Sequence, residues 1–218
     1  MKQSRSDLMA ASLESHAGQS PSPALPPQLR DKLAVYAELL TRWNRTIRLV
    51  STQDVPAIWT RHVMDSLQLL PFLPPGLAGA IDLGSGGGLP GLVLALASDV
   101  HFDLIEADAR KAAFLKEAAQ ATGAPVTIHA QRIEAVSLPP SGFVTARALA
   151  PLPKLLSLAA PLLAPGGLCL FPKGQSFDAE IDDARHSWTM TIETMPSRTS
   201  PEGRLLLIRD LRQKDTGR

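Results

Sequence analysis

A glycine-rich turn decides the fold of this chain, and it reads Asp82-Leu83-Gly84-Ser85-Gly86-Gly87-Gly88-Leu89-Pro90-Gly91. An apolar run at 80–83 leads into the glycines, and a helical pattern begins at Pro90. A strand that enters a helix through glycines brings bare backbone amides and a helix N-terminus close to a ligand at the carboxyl edge of a parallel sheet. The turn therefore predicts a ligand site between the first strand and the helix that follows it.

Short apolar runs alternate with helical patterns after this turn. We predict five parallel strands, at 80–83, 102–106, 126–130, 143–146 and 168–171. The helices expected beside them begin at Pro90 or cover 109–122, 151–163 and 178–188. Two extended runs at 189–194 and 204–209, joined by a turn at 200–203, end the pattern. This order predicts an α/β doubly wound sheet, mostly parallel, with a C-terminal antiparallel hairpin at its edge.

The chain before residue 76 has a different pattern. Residues 1–27 are rich in Ser, Pro, Ala and Gln, and we expect a disordered tail there. Residues 28–75 are expected to form a helical extension, and 76–218 the sheet domain. Apolar residues spaced by three or four positions predict the first helix: Leu29, Leu33, Tyr36, Leu40, Trp43 and Ile47. A capping box from Ser51 to Asp54 predicts a second helix that runs to about Pro71.

Two carboxylates suggest which ligand the turn binds. Gly86, Gly88 and Gly91 satisfy the spacing of the dinucleotide fingerprint, so the glycines alone do not separate two cofactors. Asp82 stands where a carboxylate can order the turn or meet an ammonium group, and Glu106 stands where an acid accepts hydrogen bonds from ribose hydroxyls. An acidic turn suits the sulfonium and amino-acid tail of S-adenosylmethionine better than a pyrophosphate. A methyltransferase is favoured, with dinucleotide binding and a purely structural turn as alternatives.

Ordered motifs outside the turn carry a family resemblance from about Leu33 to Ile208. They are Trp43-Asn44, Arg61-His62-Val63-Met64-Asp65-Ser66-Leu67, Leu104-Ile105-Glu106, Arg110-Lys111, Phe114-Leu115, Arg132-Ile133-Glu134, Arg147-Ala148, Ala150-Pro151-Leu152 and Lys173-Gly174. With the turn, they resemble the bacterial 16S rRNA 7-methylguanosine methyltransferases, called RsmG and formerly glucose-inhibited division protein B. The resemblance implies a Rossmann-like class I methyltransferase fold and transfer of a methyl group from S-adenosylmethionine to N7 of a guanosine in 16S rRNA.

The resemblance also implies site residues. It places cofactor contacts at Gly84 and Leu89 in the turn, at Glu106 near the ribose, at Ile133 and Glu134 beside the adenine, and at Arg147 at the mouth of the site. Together with the turn residues, the expected cofactor-binding set is Asp82, Gly84, Ser85, Gly86, Leu89, Gly91, Glu106, Ile133, Glu134 and Arg147. The sequence departs from the family pattern at four positions, Arg48, Val50, Ala107 and Ile133.

No catalytic residue is assigned, because guanine N7 carries a lone pair and has no proton to remove. Arg147 and Lys173 follow predicted strands and are possible substrate or cofactor contacts, with a surface ion pair and a solvated lysine as the alternatives. His62 and Asp65 lie three residues apart on a predicted helix, but no second His or Cys at ligand spacing supports a metal site. They are expected to pack or to shape the substrate entrance. The single cysteine, Cys169, is expected to be a buried thiol.

Charge does not identify a partner. The chain has 22 Lys and Arg against 21 Asp and Glu, so any contact with nucleic acid must be local. Residues 28–62 carry six basic and three acidic side chains, a weak signal for RNA. Trp43 and Trp59 are expected to pack in the core, with base stacking as the alternative.

The expected partner is 16S rRNA, alone or in the 30S subunit or an assembly intermediate, with no membrane and no metal. The expected location is the cytoplasm. An NAD-type oxidoreductase and a non-catalytic RNA-binding assembly factor remain as alternative functions.

Overall fold

The computed structural model describes residues 25–214, so most of the predicted tail at 1–27 lies outside the described residues. A single sheet organises this part of the chain, in the order β3-β2-β1-β4-β5-β7-β6. Its strands are β1 (Gly79–Leu83), β2 (His101–Ile105), β3 (Val126–His129), β4 (Ser141–Thr145), β5 (Leu163–Lys173), β6 (Trp188–Pro196) and β7 (Arg204–Gln213). Strands β1 to β5 are parallel, and β7 is antiparallel to both β5 and β6. The predicted mostly parallel sheet with a hairpin edge is confirmed.

Helices cover both faces of the sheet. They are α1 (Pro27–Trp43), α2 (Met64–Leu67), α3 (Gly91–Ala97), α4 (Ala109–Thr122), α5 (Leu152–Ala159) and α6 (Phe177–Ser187). Helix α4 has the bounds that the sequence predicts: the Asp108 carboxylate accepts hydrogen bonds from the amides of Arg110 and Lys111, and Gly123 ends it in the left-handed conformation at φ +66°. No helix within residues 25–214 is long and apolar enough to cross a membrane.

The second predicted helix is wrong as a continuous element. The chain instead forms 3₁₀ turns at Thr52–Ala57 and Leu70–Phe72, a π-helical turn at Trp59–Val63, and the short α2. The Ser51 side chain caps no backbone amide, and Asp54 forms an ion pair with Arg61 at 2.9 Å instead of closing a capping box. Pro56 lies inside the first 3₁₀ segment, where its missing amide hydrogen interrupts regular helical hydrogen bonding.

Strand β5 begins earlier than predicted. Leu163 already pairs with Ser141, whereas Leu168 pairs with Phe143, so the residues between them bulge out of the ladder. The sequence predicts a turn around Pro165 because proline and glycine interrupt regular strand pairing. The structure accommodates these residues as an irregularity within the strand.

Two hydrophobic clusters lie on opposite faces of the sheet. Because successive strand residues point to opposite faces, Leu168 and Leu170 belong to one cluster, and Cys169 and Phe171 to the other. The first cluster includes Leu33, Tyr36 and Leu40 of α1, together with Phe114 of α4. Helix α1 thus shares its core with the sheet and lies against the helices that flank the glycine-rich turn. Burial raises the pKa of the Cys169 thiol to about 12, as expected for an inert buried cysteine.

Candidate active site

The glycine-rich turn runs from the end of β1 into α3 and needs glycine at several positions. Gly84, Gly86 and Gly88 have φ values of +64°, +54° and +81°, in the left-handed region that favours glycine. A Cβ atom on Gly84 would lie 2.5 Å from Leu149 Cδ1, and one on Gly91 would lie 2.6 Å from Asp82 Oδ2. Side chains larger than hydrogen are therefore excluded at Gly84 and Gly91 by Leu149 and Asp82.

Asp82 is fully buried at the end of β1 and fastens the start of α3. Its Oδ2 accepts a hydrogen bond from the Gly91 amide at 3.2 Å, whereas its Oδ1 has no hydrogen-bond partner among the described residues. Burial raises the pKa of this carboxyl group to about 7. The Ser85 hydroxyl donates to the Asp82 carbonyl at 3.1 Å, so Ser85 also orders the turn. One buried acidic oxygen is left for a donor or a cation.

Glu106 follows β2 and binds the turn directly. Its Oε2 accepts a hydrogen bond from the Gly86 amide, and its Oε1 accepts one from the Asp108 amide, each at 2.8 Å. A carboxylate has about four lone-pair sites, so these bonds leave acceptor capacity for hydroxyl donors. Glu106 thus combines two roles: it fixes the glycine turn and presents an acceptor at the carboxyl edge of the sheet.

Tyr36 holds the turn from the other side and was not predicted as a site residue. Its hydroxyl donates a hydrogen bond of 2.5 Å to the Gly87 carbonyl, and its side chain is fully buried on α1. Leu40, one helical turn further on, lies against the same glycine. The available signal was the only tyrosine of the chain on an apolar helical stripe, because a buried phenol needs an acceptor.

A cleft of about 470 Å³ opens beside the turn. It lies where β4 and β5 end, between the segment that contains Asp65 and the β6–β7 turn. Its lining residues are Asp65, Arg147, Ala148, Leu149, Ala150, Pro151, Pro172, Lys173, Gly174, Glu180, Ser197, Ser200, Gly203 and Arg204. Leu149 joins the cleft to the glycine turn because the same side chain lies against Gly84. Ala148 has a φ of +52°, a strained value for a residue with a side chain. Strained backbone concentrates at functional sites.

Asp65 connects its own segment to the chain after β4 and to the β6–β7 turn. Its Oδ2 accepts from the Arg147 guanidinium at 3.1 Å, and its Oδ1 accepts from the Thr199 hydroxyl at 2.5 Å and from the Gln68 amide at 2.7 Å. Gln68 in turn accepts from the Arg198 backbone amide at 2.8 Å. Asp65 thus lines the cleft, and the expectation that it packs or shapes the substrate entrance stays a prediction. This carboxylate holds Arg147 in the cleft lining, and the expected place of Arg147 at the mouth of the cofactor site stays a prediction.

Lys173 lies in the cleft wall but is not a solvated side chain. Its ammonium donates to Glu180 at 2.7 Å and to the Ala150 carbonyl at 2.8 Å. Burial by itself would raise the pKa of Glu180, but hydrogen bonds from Lys173 and from the Leu152 amide outweigh it and lower that pKa. This pair fixes the loop after β4 against α6.

Ile133, Glu134 and Leu89 are expected site residues that do not line the cleft. Ile133 and Glu134 lie in a 3₁₀ turn after β3, at the same edge of the sheet as the glycine turn. The Glu134 carboxylate forms an exposed ion pair with Lys154 at 3.5 Å, and Ile133 packs against the hydrophobic cluster of α5. Leu89 is buried, and its backbone amide donates to the Ser85 carbonyl at 3.2 Å.

His62 is buried beneath the exposed side of its helical turn. Neither ring nitrogen has a hydrogen-bond partner among the described residues, and the nearest carboxylate oxygen, of Asp54, is 3.7 Å away. Burial, reinforced by the positive charge of Arg147, lowers the pKa of the imidazole. Within residues 25–214, no group of three or more His, Cys, Asp or Glu side chains could hold a metal ion.

The fold is that of known methyltransferases. The chain superimposes on the magnesium protoporphyrin IX methyltransferase of Synechocystis PCC 6803, solved with bound SAM, with a TM-score of 0.56, 15% identity and coverage of 87% of this chain and 100% of that one. It also matches an O-methyltransferase from Bacillus cereus solved with SAH, with a TM-score of 0.53, 13% identity and coverage of 93% and 97%. The chain thus has the class I methyltransferase fold.

Sequence relatives identify the family. The family model described as rRNA small subunit methyltransferase G matches residues 29–205. Proteins named ribosomal RNA small subunit methyltransferase G are similar to the chain: that of Rhodospirillum centenum is 52% identical over 181 residues, covering 83% of this chain and 84% of the relative. That of Granulibacter bethesdensis is 53% identical over 181 residues, covering 83% and 85%. The chain belongs to this family, which confirms the resemblance drawn from its motifs.

Proposed function

We propose that this chain is a cytoplasmic enzyme that transfers a methyl group from S-adenosylmethionine to N7 of a guanosine in bacterial 16S rRNA. One observation carries the proposal: in the glycine turn, the Glu106 carboxylate accepts from the Gly86 amide and the Asp82 carboxylate accepts from the Gly91 amide, and the turn packs on Leu149 of the cleft lining. Family membership supports the reaction class and the RNA substrate.

The residues of the turn fit S-adenosylmethionine. The buried Oδ1 atom of Asp82 has no hydrogen-bond partner within residues 25–214, which suits the cationic amino-acid end of the cofactor. Glu106 keeps lone pairs that can accept ribose hydroxyls, as acids at this position do in related α/β folds. A Cβ atom on Gly86 would meet only the Gly84 carbonyl, at 3.8 Å, so the backbone is open to a ligand at this glycine. Gly84, Ser85, Gly91, Leu89, Ile133, Glu134 and Arg147 complete the proposed set.

The cofactor would supply an activated methyl group on a sulfonium, and guanine N7 would accept it with its lone pair. Because N7 carries no proton, the site needs no general base, and the chain contributes by holding the two partners in line. Asp65 and Glu180 hold Arg147 and Lys173 in the cleft wall by ion pairs at 3.1 and 2.7 Å. Such preorganised walls fix where a substrate base can lie.

The cleft suits an unpaired nucleotide. Three cations line it, but Arg147 and Lys173 are paired with Asp65 and Glu180 of the same lining. Arg204 has no carboxylate partner among the described residues, so it is the lining cation that is proposed to meet a phosphate. Arg204 also lies 5.4 Å from the centre of the Phe177 ring, which limits its movement. In an A-form helix N7 faces a deep, narrow groove, and the target guanosine is therefore proposed to lie in a loop or to be splayed from its stack.

A dinucleotide-dependent oxidoreductase is not favoured. The usual dinucleotide sheet has the order 3-2-1-4-5-6, whereas here an antiparallel β7 lies between β5 and β6. Calorimetry compares the cofactors directly: we expect binding of S-adenosylmethionine and no comparable binding of NAD. Tight NAD binding with no response to S-adenosylmethionine would reverse the assignment.

The cellular test is mass mapping of 7-methylguanosine in 16S rRNA. We expect the modification to disappear when the gene is deleted, to return with the wild-type gene, and to stay absent with Gly84→Arg. An unchanged modification in the deletion strain contradicts the proposal. If Gly84→Arg restores the strain's ribosome assembly but not the modification, the chain also acts as a binding factor.

A further inference from the structure

One tryptophan of the chain lies at the surface. Among the described residues, the exposed large hydrophobic side chains are Val35 and Trp59, with exposed fractions of 40% and 36%. The sequence expectation that Trp43 and Trp59 both pack in the core is confirmed for Trp43 only. The Trp43 ring packs on Phe114 at 5.9 Å and its indole N–H donates to Glu117 at 3.0 Å.

The position of Trp59 is fixed by its neighbours. It begins the π-helical turn Trp59–Val63, in which His62 and Val63 are buried and Trp59, Thr60 and Arg61 are exposed. His62 and Val63 anchor the turn in the protein interior, and Trp59 keeps 36% of its surface exposed. An aromatic ring that is partly exposed offers a face on which an unpaired base can stack.

The same turn contacts the cleft. The Arg61 carbonyl accepts a hydrogen bond from Arg147 at 3.4 Å, and Arg147 lines the cleft together with Asp65, four residues after Arg61. The Arg61 side chain remains 65% exposed while it pairs with Asp54. One helical turn thus presents an aromatic face and a cation beside the wall of the proposed substrate cleft.

We propose that Trp59, Thr60 and Arg61 form a docking surface for single-stranded RNA, on which Trp59 stacks a base that flanks the target and Arg61 pairs with a phosphate. This inference rests on the proposed function, because an enzyme that takes one base out of a stack leaves the neighbouring bases without a stacking partner. An indole face replaces that partner for any base, and an arginine adds an ionic contact to the backbone.

The test is binding of a labelled, unpaired RNA oligonucleotide of about ten nucleotides, followed by anisotropy. Trp59→Ala is expected to weaken binding by about 5- to 150-fold, and Trp59→Phe to keep most of it because an aromatic face remains. Val35→Ala, at the other exposed apolar side chain, is the matched control and is expected to bind like the wild type. RNA should quench the tryptophan fluorescence of the wild type much more than that of Trp59→Phe.

Salt dependence separates the two contacts. Arg61→Gln is expected to reduce the slope of log K against log salt concentration by about 0.7, the value of one phosphate contact in single-stranded RNA, whereas Trp59→Ala should leave the slope unchanged. RNA binding by Trp59→Ala within about twofold of the wild type would overturn the surface. The proposal would also be overturned if the wild type is a dimer and Trp59→Ala dissociates this dimer without changing the affinity for RNA.

Failure of the surface and failure of the proposed function give different results. If the wild type methylates small-subunit RNA and Trp59→Ala does so equally well with equal RNA affinity, only the docking surface is wrong. If the wild type transfers no methyl group while its RNA binding still depends on Trp59, the surface is supported and the proposed function is contradicted.

Discussion

The Glu106 carboxylate accepts a hydrogen bond from the Gly86 amide at 2.8 Å, across 20 residues of chain. This bond joins the end of β2 to the glycine turn after β1, so the residue proposed to bind the ribose also shapes the turn that would hold the rest of the cofactor. The two functions are therefore linked in one side chain.

Glu106→Gln should weaken cofactor binding. An amide has one oxygen, so one of the two backbone amides that Glu106 now binds would face an N–H₂ donor. The variant also loses the charged acceptor proposed for the ribose hydroxyls, and loss of such a hydrogen bond costs about 1.5–3 kcal/mol, which corresponds to about 10- to 150-fold weaker binding of S-adenosylmethionine by calorimetry. Glu193→Gln, on the exposed edge of β6, is the control. Equal affinities for Glu106→Gln and wild type would contradict the assignment of Glu106.

Asp82→Asn should change how stability depends on pH. Burial raises the Asp82 pKa from 3.8 to about 7, so between these values the folded protein holds a proton that the unfolded chain has released. The free energy of unfolding of the wild type should therefore fall with rising pH across this window, by at most about 1.4 kcal/mol per pH unit, relative to Asp82→Asn. Urea unfolding of the cofactor-free proteins measures the difference. Parallel curves from about pH 5 to about pH 8 would show that Asp82 titrates normally.

Asp65→Ala should loosen the cleft. The substitution leaves the Arg147 guanidinium and the Thr199 hydroxyl without their shared acceptor. We expect the free energy of unfolding to fall by about 1.5–3 kcal/mol, and the KM for RNA to rise because two walls of the cleft lose their connection. Asp182→Ala removes an exposed ion pair with Arg185 and should have little effect on either quantity. Similar results for both variants would argue against a clamp at Asp65.

Tyr36→Phe should weaken cofactor binding, although Tyr36 lies on helix α1 and not in the sheet. The variant keeps the ring in its buried site but leaves the Gly87 carbonyl without its donor, at a cost of about 1–3 kcal/mol in the free energy of unfolding. Because that carbonyl belongs to the glycine turn, the affinity for S-adenosylmethionine should fall as well. Thr46→Val, which removes an exposed hydroxyl bonded to the Trp43 carbonyl, provides the comparison. A stability loss without any loss of affinity would limit Tyr36 to a packing role.

Local patterns predicted the sheet and the turn because strand and helix periods, glycines and caps act over a few residues. Helix α4 and its Gly123 cap are examples. The sequence did not predict that residues 52–72 form several short helical segments. Pro56 interrupts the helix there, and Asp54 pairs with Arg61 instead of closing the expected capping box. Local propensity is overridden there by tertiary contacts.

The candidate site was predicted in part for the same reason. Asp82 and Glu106 could be placed at the sheet edge because the carboxyl ends of parallel strands share one edge. The bonds from Tyr36 to Gly87 and from Asp65 to Thr199 join residues 51 and 134 positions apart, and no spacing rule reports such pairs. The partners of Lys173 and Glu134 also follow from tertiary packing.

The most direct test of the central claim is methyl transfer by the purified chain. Methyl-labelled S-adenosylmethionine is supplied with protein-free 16S rRNA, with 30S subunits or with assembly intermediates that lack the modification, and the labelled nucleoside is identified by mass spectrometry. We expect label in 7-methylguanosine with at least one of these substrates, and a much lower rate with Glu106→Gln. No label in any form of the RNA, or label in a nucleoside other than 7-methylguanosine, would contradict the account.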